Sequence, residues 1–283
     1  MPQTKPQSPV SRPSPTTVRG STSVGGGEAG QALSWRLIRL APLDHLAQSF
    51  ATRFWIRLLL GVFRSRVLEL RGLQHIREGC DPFILAPNHS QRLEALLLPA
   101  VLALNRRGKM VHFLTDWLVL LYPLIGRIVL LNQPIIVTRK NAKFRWMNAF
   151  RRKYESPMSA FEQARQFLAQ KRPIGLYPEG TMNRDRERLL RGQSGVAQLS
   201  LSCGVPVVPV GIRFPRGRLG TRVRDLEPMI IEFGEPLIPP RPGVTREPEV
   251  HEIRDWHARI MQAISNLSGK QWTPENQRTR YVA

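Results

Sequence analysis

Phe83-Ile84-Leu85-Ala86-Pro87-Asn88-His89-Ser90-Gln91-Arg92-Leu93-Glu94-Ala95-Leu96-Leu97-Leu98 reads as a buried strand, a polar turn and the start of an apolar helix. The run 82–87 does not alternate polar with apolar side chains, which marks a strand covered on both faces. Pro87, Asn88 and Ser90 favour a turn and offer a polar cap for a helix over 91–105. The same succession repeats outward from this point. Short runs at 66–71, 110–114, 133–138, 173–177, 205–213 and 228–234, several nearly continuous in Val, Ile and Leu, read as strands. Segments at 117–130, 157–170, 190–203 and 247–267 read as helices. The fold expected is α/β: a mostly buried mixed sheet flanked by helices, preceded by an amphipathic helical segment.

Two residues of the opening stretch have the chemistry of a catalytic pair. On one continuous helix His89 and Glu94, five positions apart, would diverge by about 140°. They meet only if His89 sits in the turn and Glu94 points back from the first helical turn. A carboxylate on one imidazole nitrogen fixes the tautomer and leaves the other nitrogen as a base. Taken alone, the pair reads more readily as a helix-cap histidine beside an ordinary surface glutamate.

A second element, Tyr177-Pro178-Glu179-Gly180-Thr181-Met182-Asn183-Arg184, follows the strand 173–177. It sets a carboxylate and a Gly-opened backbone at a strand's carboxyl end, where α/β sheets place ligands. By itself it is also a turn. Arg139 closes the apolar run from Pro134, and Val205-Pro206-Val207-Val208-Pro209-Val210 holds two prolines, a pattern of edge strands.

In this order, Asn88-His89 with an acid five residues after the histidine, Arg139 at a strand end, Pro178-Glu179-Gly180-Thr181, and Val205 to Val210 resemble the glycerolipid acyltransferase family, over about residues 66–240. The resemblance implies an O-acyltransferase that moves a fatty acyl group from acyl-CoA or acyl-carrier protein to a hydroxyl of a lysophospholipid or glycerol-phosphate-type acceptor. It implies His89 as general base oriented by Glu94, with Arg139, Glu179, Gly180 and Thr181 at the acceptor's phosphate and backbone amides near Gly180 at the oxyanion. No metal or cofactor is required beyond the thioester co-substrate. Two positions depart from the family pattern: Glu94 stands for the usual Asp, and Met182 for the arginine after Pro-Glu-Gly-Thr. Arg184, two positions on, is the candidate substitute for that phosphate clamp.

The 283 residues carry 42 Lys+Arg against 21 Asp+Glu, a net charge of +21, so anionic partners are expected. Residues 36–71, 139–172 and 213–224 hold +18 of that excess. In the helical segment 34–65, Arg53, Arg57 and Arg64 fall on one side, opposite Phe54, Trp55, Ile56, Leu58, Leu59 and Leu60. Such a helix suits the plane of an anionic membrane; a helix packed on the domain with its arginines in water is the alternative. No run of roughly 20 apolar residues and no signal peptide is present, so a peripheral position on the cytoplasmic face of a membrane is expected. Residues 1–33 and 271–283 read as loose tails around an acyltransferase domain over 66–270. Cys80 and Cys203, the only cysteines, exclude a disulfide scaffold and a thiolate zinc site.

A basic nucleic-acid-binding protein is supported by charge alone, without a helix-turn-helix, zinc-finger or RNA-recognition pattern. A non-catalytic lipid-binding relative stays open, because both departures fall at motif positions.

Overall fold

The computed structural model describes residues 30–46, 48–138, 141–142, 144–240 and 247–275. The amino-terminal tail expected over 1–33 therefore lies outside the described residues up to residue 29, as does the carboxyl-terminal one beyond residue 275.

Among the described residues, seven strands form one sheet: β1 (Val67–Arg71), β2 (Ile84–Pro87), β3 (His112–Asp116), β4 (Ile135–Val137), β5 (Ile174–Gly175), β6 (Val207–Arg213) and β7 (Met229–Phe233), in the order β1-β7-β6-β2-β5-β3-β4. β6, β2, β5, β3 and β4 are mutually parallel. β7 runs antiparallel to β6 and parallel to β1. The mixed sheet follows from the connections. From β2 to β6 a helix joins each strand to the next, whereas the 214–228 loop joins β6 to β7 without one, and β7 turns back to pair antiparallel with β6.

The helices are α1 (Trp35–Leu40), α2 (Phe50–Val62), α3 (Glu94–Asn105), α4 (Pro123–Leu131), α5 (Ala160–Ala169), α6 (Gly195–Cys203) and α7 (Val250–Ser268). The helix expected over 117–130 is two pieces, a 3₁₀ turn at Trp117–Leu121 and then α4, because Pro123 has no N–H to continue the first and fits the first position of the second. The strand expected over 173–177 shortens to Ile174–Gly175, although Leu176 N–H still donates to Leu85 O at 3.0 Å. The helix expected from 190 begins at Gly195.

Two apolar cores lie on opposite faces of the sheet. On one, Leu85, Val208, Val210, Ile212 and Ile231 pack with Ile56, Leu60, Leu97 and Val101 from α2 and α3. On the other, Ile84, Ala86 and Val207 pack with Ala164, Val196, Trp256 and Ile260 from α5, α6 and α7. Alternate side chains of β2 thus enter different cores, which is why its sequence is apolar throughout. α3, sandwiched between the sheet and α2, is likewise buried along most of its length. Gly211 lets α7 approach β6: a Cβ there would meet the Leu267 backbone carbon at 2.3 Å.

Candidate active site

The site forms where the parallel neighbours β2 and β5 end. Asn88 prolongs the pairing of β2 with β6 by side chain: its Nδ2 donates to Ile212 O at 3.1 Å and its Oδ1 accepts from Ile212 N–H at 2.7 Å. Fully buried, it fixes where the chain leaves the sheet and so aims the next residue. His89 stands in that turn, and α3 begins at Glu94.

The structure brings His89 and Glu94 together, with Nδ1 and Oε1 2.6 Å apart. Glu94 Oε1 also accepts from the Ser90 backbone N–H, so the carboxylate closes the turn as it orients the ring. A carboxylate accepts and does not donate, so Nδ1 carries the proton and Nε2 is the free lone pair. Glu94 is 0% exposed, while 18% of the His89 side chain reaches solvent, enough to meet a substrate. Tyr177 stacks on the imidazole with ring centroids 4.3 Å apart. Burial and the Glu94 charge hold the Tyr177 phenol well above its usual value, so it stays neutral.

Glu179, expected at the acceptor's phosphate, has both oxygens engaged inside the protein. Oε1 accepts from His89 N–H at 3.1 Å; Oε2 accepts from Asn183 Nδ2 at 2.8 Å and Leu190 N–H at 2.9 Å. Asn183 N–H in turn donates to His89 O at 2.7 Å. Glu179 is therefore the knot joining the two motifs, and burial raises its carboxyl above the ordinary value against the pull of Leu190 N–H and Lys270. Gly180 has φ +66°, and a Cβ there would lie 2.4 Å from Gln193 Nε2, so the turn requires glycine. The Gly180 N–H already donates to Tyr177 O at 3.0 Å, so it is not a free oxyanion donor. Gly180 and Thr181 are exposed at the rim.

Arg184 is anchored rather than open. Nη1 donates to Val223 O at 3.0 Å and Nη2 to Asp225 Oδ2 at 2.7 Å, leaving its side chain 22% exposed. Met182 is half-buried. Arg139 lies outside the described residues. Sequence reasoning missed Lys270, whose Nζ donates to Ser90 Oγ at 2.7 Å and Asp185 O at 2.6 Å. Nothing in its neighbourhood along the chain marks it, because the contact spans 180 positions.

The sequence of residues 67–213, just over half of the chain, matches the Acyltransferase family. The chain belongs to the acyltransferase family. Among solved structures, this acyltransferase is similar to the crystal structure of PlsC, the 1-acyl-sn-glycerophosphate (LPA) acyltransferase from Thermotoga maritima, with a TM-score of 0.51 and 17% identity, covering 81% of this chain and 84% of that one. At that identity the likeness speaks for the fold. A search of curated proteins finds no match.

The acyltransferase carries an exposed apolar surface ahead of β1. α2 is apolar on two sides: Ile56, Leu59 and Leu60 are buried, whereas Phe50, Phe54, Leu58 and Val62 face solvent, Phe50 at 73%. With Trp35, Arg39 and Arg53, the exposed Phe50, Phe54 and Leu58 line an open groove of about 600 Å³ between α1 and α2. Two arginines of the basic side make contacts within the protein. Arg57 donates to Ile38 O and Ala41 O, both at 3.1 Å, and the Arg64 guanidinium sits 5.4 Å from the Trp35 ring centroid. The last carbonyls of a short helix need donors, and Arg57 supplies them. Phe144, Trp146 and Phe150 form another exposed group, beside the exposed cations Arg145, Arg152 and Lys153. Among the described residues no helix is long and apolar enough to cross a membrane.

Proposed function

We propose that this acyltransferase moves a fatty acyl group from an acyl thioester, acyl-CoA or acyl-carrier protein, to a hydroxyl of a lysophospholipid or glycerol-phosphate-type acceptor at an anionic membrane surface. The observation that carries the proposal is the 2.6 Å His89–Glu94 contact at the ends of β2 and β5, which leaves Nε2 free beside an accessible rim. Nε2 takes the proton of the acceptor hydroxyl as its oxygen attacks the thioester carbon. The C–O bond forms, the C–S bond breaks, and the proton passes from His89 to the departing thiolate. No acyl-enzyme intermediate is needed. General-base assistance contributes about 10²- to 10⁴-fold, so holding the two substrates in place supplies the remainder.

Charge supports this division of labour. Glu94 and Glu179 are buried carboxylates beside the ammonium of Lys270, with Asp185 and Arg186 as an opposite pair next to them. A proton arriving on His89 restores neutrality in the enclosure, which suits a transition state with a protonated imidazole. Gly180 and Thr181 line the entrance for the acceptor. Arg184 reaches an acceptor phosphate only by sharing or leaving Asp225, and Met182 offers no charge, so the phosphate is held here more weakly than the family's arginine would hold it. The groove between α1 and α2, and the Phe144–Lys153 aromatic and cationic stretch, support a peripheral position on the membrane.

The test is a panel of acceptors with a radiolabelled acyl thioester. Label is expected in an ester product only when a lysolipid or glycerol phosphate is supplied; hydrolysis of the thioester regardless of acceptor contradicts it. In the same assay Met182→Arg is expected to lower KM for lysophosphatidate several-fold, and an unchanged KM places the phosphate elsewhere.

A further inference from the structure

Lys270 takes no part in the proton transfer, yet it is buried in the same enclosure. It follows Gly269, which closes α7 in the left-handed conformation at φ +70°. Next to it, Gln271 N–H donates to Glu187 O at 2.7 Å and Leu189 N–H donates to Gln271 O at 2.9 Å. This short parallel bridge sets Lys270 inside the protein, where 3% of the residue is exposed. Its Nζ bonds to Ser90 Oγ and Asp185 O then stitch the turn that carries His89 to the loop that follows Pro178-Glu179-Gly180-Thr181. Lys270 lies beyond the residues matched by the family.

An ammonium is costly to bury unless its charge is answered. The charged groups around it come from three elements: Glu94 from α3, Glu179 from the segment after β5, and Asp185 and Arg186 from the loop beyond it. His89 joins them through Glu94. Two buried carboxylates close to one another do not both stay ionised without a cation. A purely structural brace between Ser90 and Asp185 needs no charge; any neutral donor serves.

We propose that Lys270 is a positioning residue for His89: its ammonium clamps Ser90 so that the turn presents the imidazole to Glu94, and it sets a positive charge against the buried carboxylates of that enclosure. This rests on His89 being the base. Burial holds the Lys270 ammonium below its usual pKa, and Glu179 and Glu94 pull against that shift without cancelling it.

The test compares Lys270→Met, Lys270→Arg, Ser90→Ala and His89→Ala in the full chain. Lys270→Met keeps an unbranched side chain, one atom shorter, and removes the charge and both hydrogen bonds. It is expected to lower kcat about 10²-fold while KM for the acyl thioester changes little, as for an error in positioning. It is also expected to move the acid limb of kcat/KM to higher pH by about one unit, because without the cation each proton acceptor in the enclosure holds its proton more tightly. Lys270→Arg keeps the limb at the wild-type pH even where turnover falls. If Lys270→Met loses its near-ultraviolet circular dichroism, Ser90→Ala decides: it removes the clamp alone and is expected to lower kcat about tenfold with the limb unmoved. Turnover that survives in His89→Ala excludes the base role itself. With His89→Ala inactive, a folded Lys270→Met with the wild-type limb, or full turnover in Ser90→Ala, overturns the role of Lys270 alone.

Discussion

Glu94 holds one end of a hydrogen bond that has to be charged to work. Glu94→Gln keeps the size of the side chain and an oxygen for the Ser90 N–H, but it no longer offers a carboxylate to the imidazole. Turnover is expected to fall by about 10²- to 10⁴-fold, as when the acid of a catalytic triad is neutralised, in a variant that still folds. Steady-state kinetics beside a thermal melt checks this, and near-normal kcat contradicts it. His112 makes a different prediction, on stability. It is 4% exposed; its Nδ1–H donates to Gln133 O at 3.0 Å and its Nε2 accepts from Arg172 Nε at 3.2 Å. Burial, reinforced by the Arg172 charge, pushes its pKa down to about 4. The unfolded chain, with a pKa near ~6.5, therefore binds the proton first as pH falls. Stability from this group is complete above about pH 6.5 and is lost progressively down to pH 4, at most about 2 kcal/mol of it by pH 5. Urea unfolding at pH 7.5 and 5 is expected to show a smaller difference in His112→Asn than in the wild type; equal differences contradict it.

At the scale of elements, two contacts decide how the site and the surface are built. α7 lies against β6 where Gly211 leaves room, and it carries the chain to Lys270. Gly211→Ala forces the helix backbone outward and is expected to cost about 1–3 kcal/mol, read as a lower urea midpoint; an unchanged midpoint means α7 is not seated there. The α1–α2 pair presents the apolar groove, so Phe50→Ser with Phe54→Ser is expected to weaken sedimentation with anionic vesicles by about tenfold or more, each ring carrying roughly 1.5–3 kcal/mol when fully buried. Vesicle binding equal to wild type removes this surface from the membrane. Much of this was legible in sequence. Strands buried on both faces are apolar without alternation, and Pro123 and the 87–90 turn punctuate the chain. Helical periodicity gives the angle of an arginine on its own helix, however, and not the neighbour it meets. Arg57 therefore read as part of a free basic face, although it donates to Ile38 O in α1 and to Ala41 O just beyond it.

For the whole molecule, the charge of +21 sets the conditions of encounter. Surface cations attract an anionic bilayer by about 1 kcal/mol each, and salt shortens the reach of that attraction from about 10 Å at 0.1 M to about 3 Å at 1 M. Binding to anionic vesicles is expected to weaken steeply with salt and to exceed binding to neutral vesicles; insensitivity to both contradicts a steering role for the charge. The candidate site was legible only where its parts are local. His89 and Glu94 lie five positions apart, and Pro178-Glu179-Gly180-Thr181 is a continuous motif. That Glu179 faces inward, that Asp225 holds Arg184 and that Lys270 closes the enclosure all depend on the sheet bringing together residues far apart in the chain. Acceptor-dependent release of free thiol from an acyl thioester, measured for the wild type and for His89→Ala of equal melting temperature, tests the central claim most directly. The expected result is release in the wild type only when a lysolipid is present, and a loss of about 10²-fold or more in the variant; undiminished release by His89→Ala contradicts it.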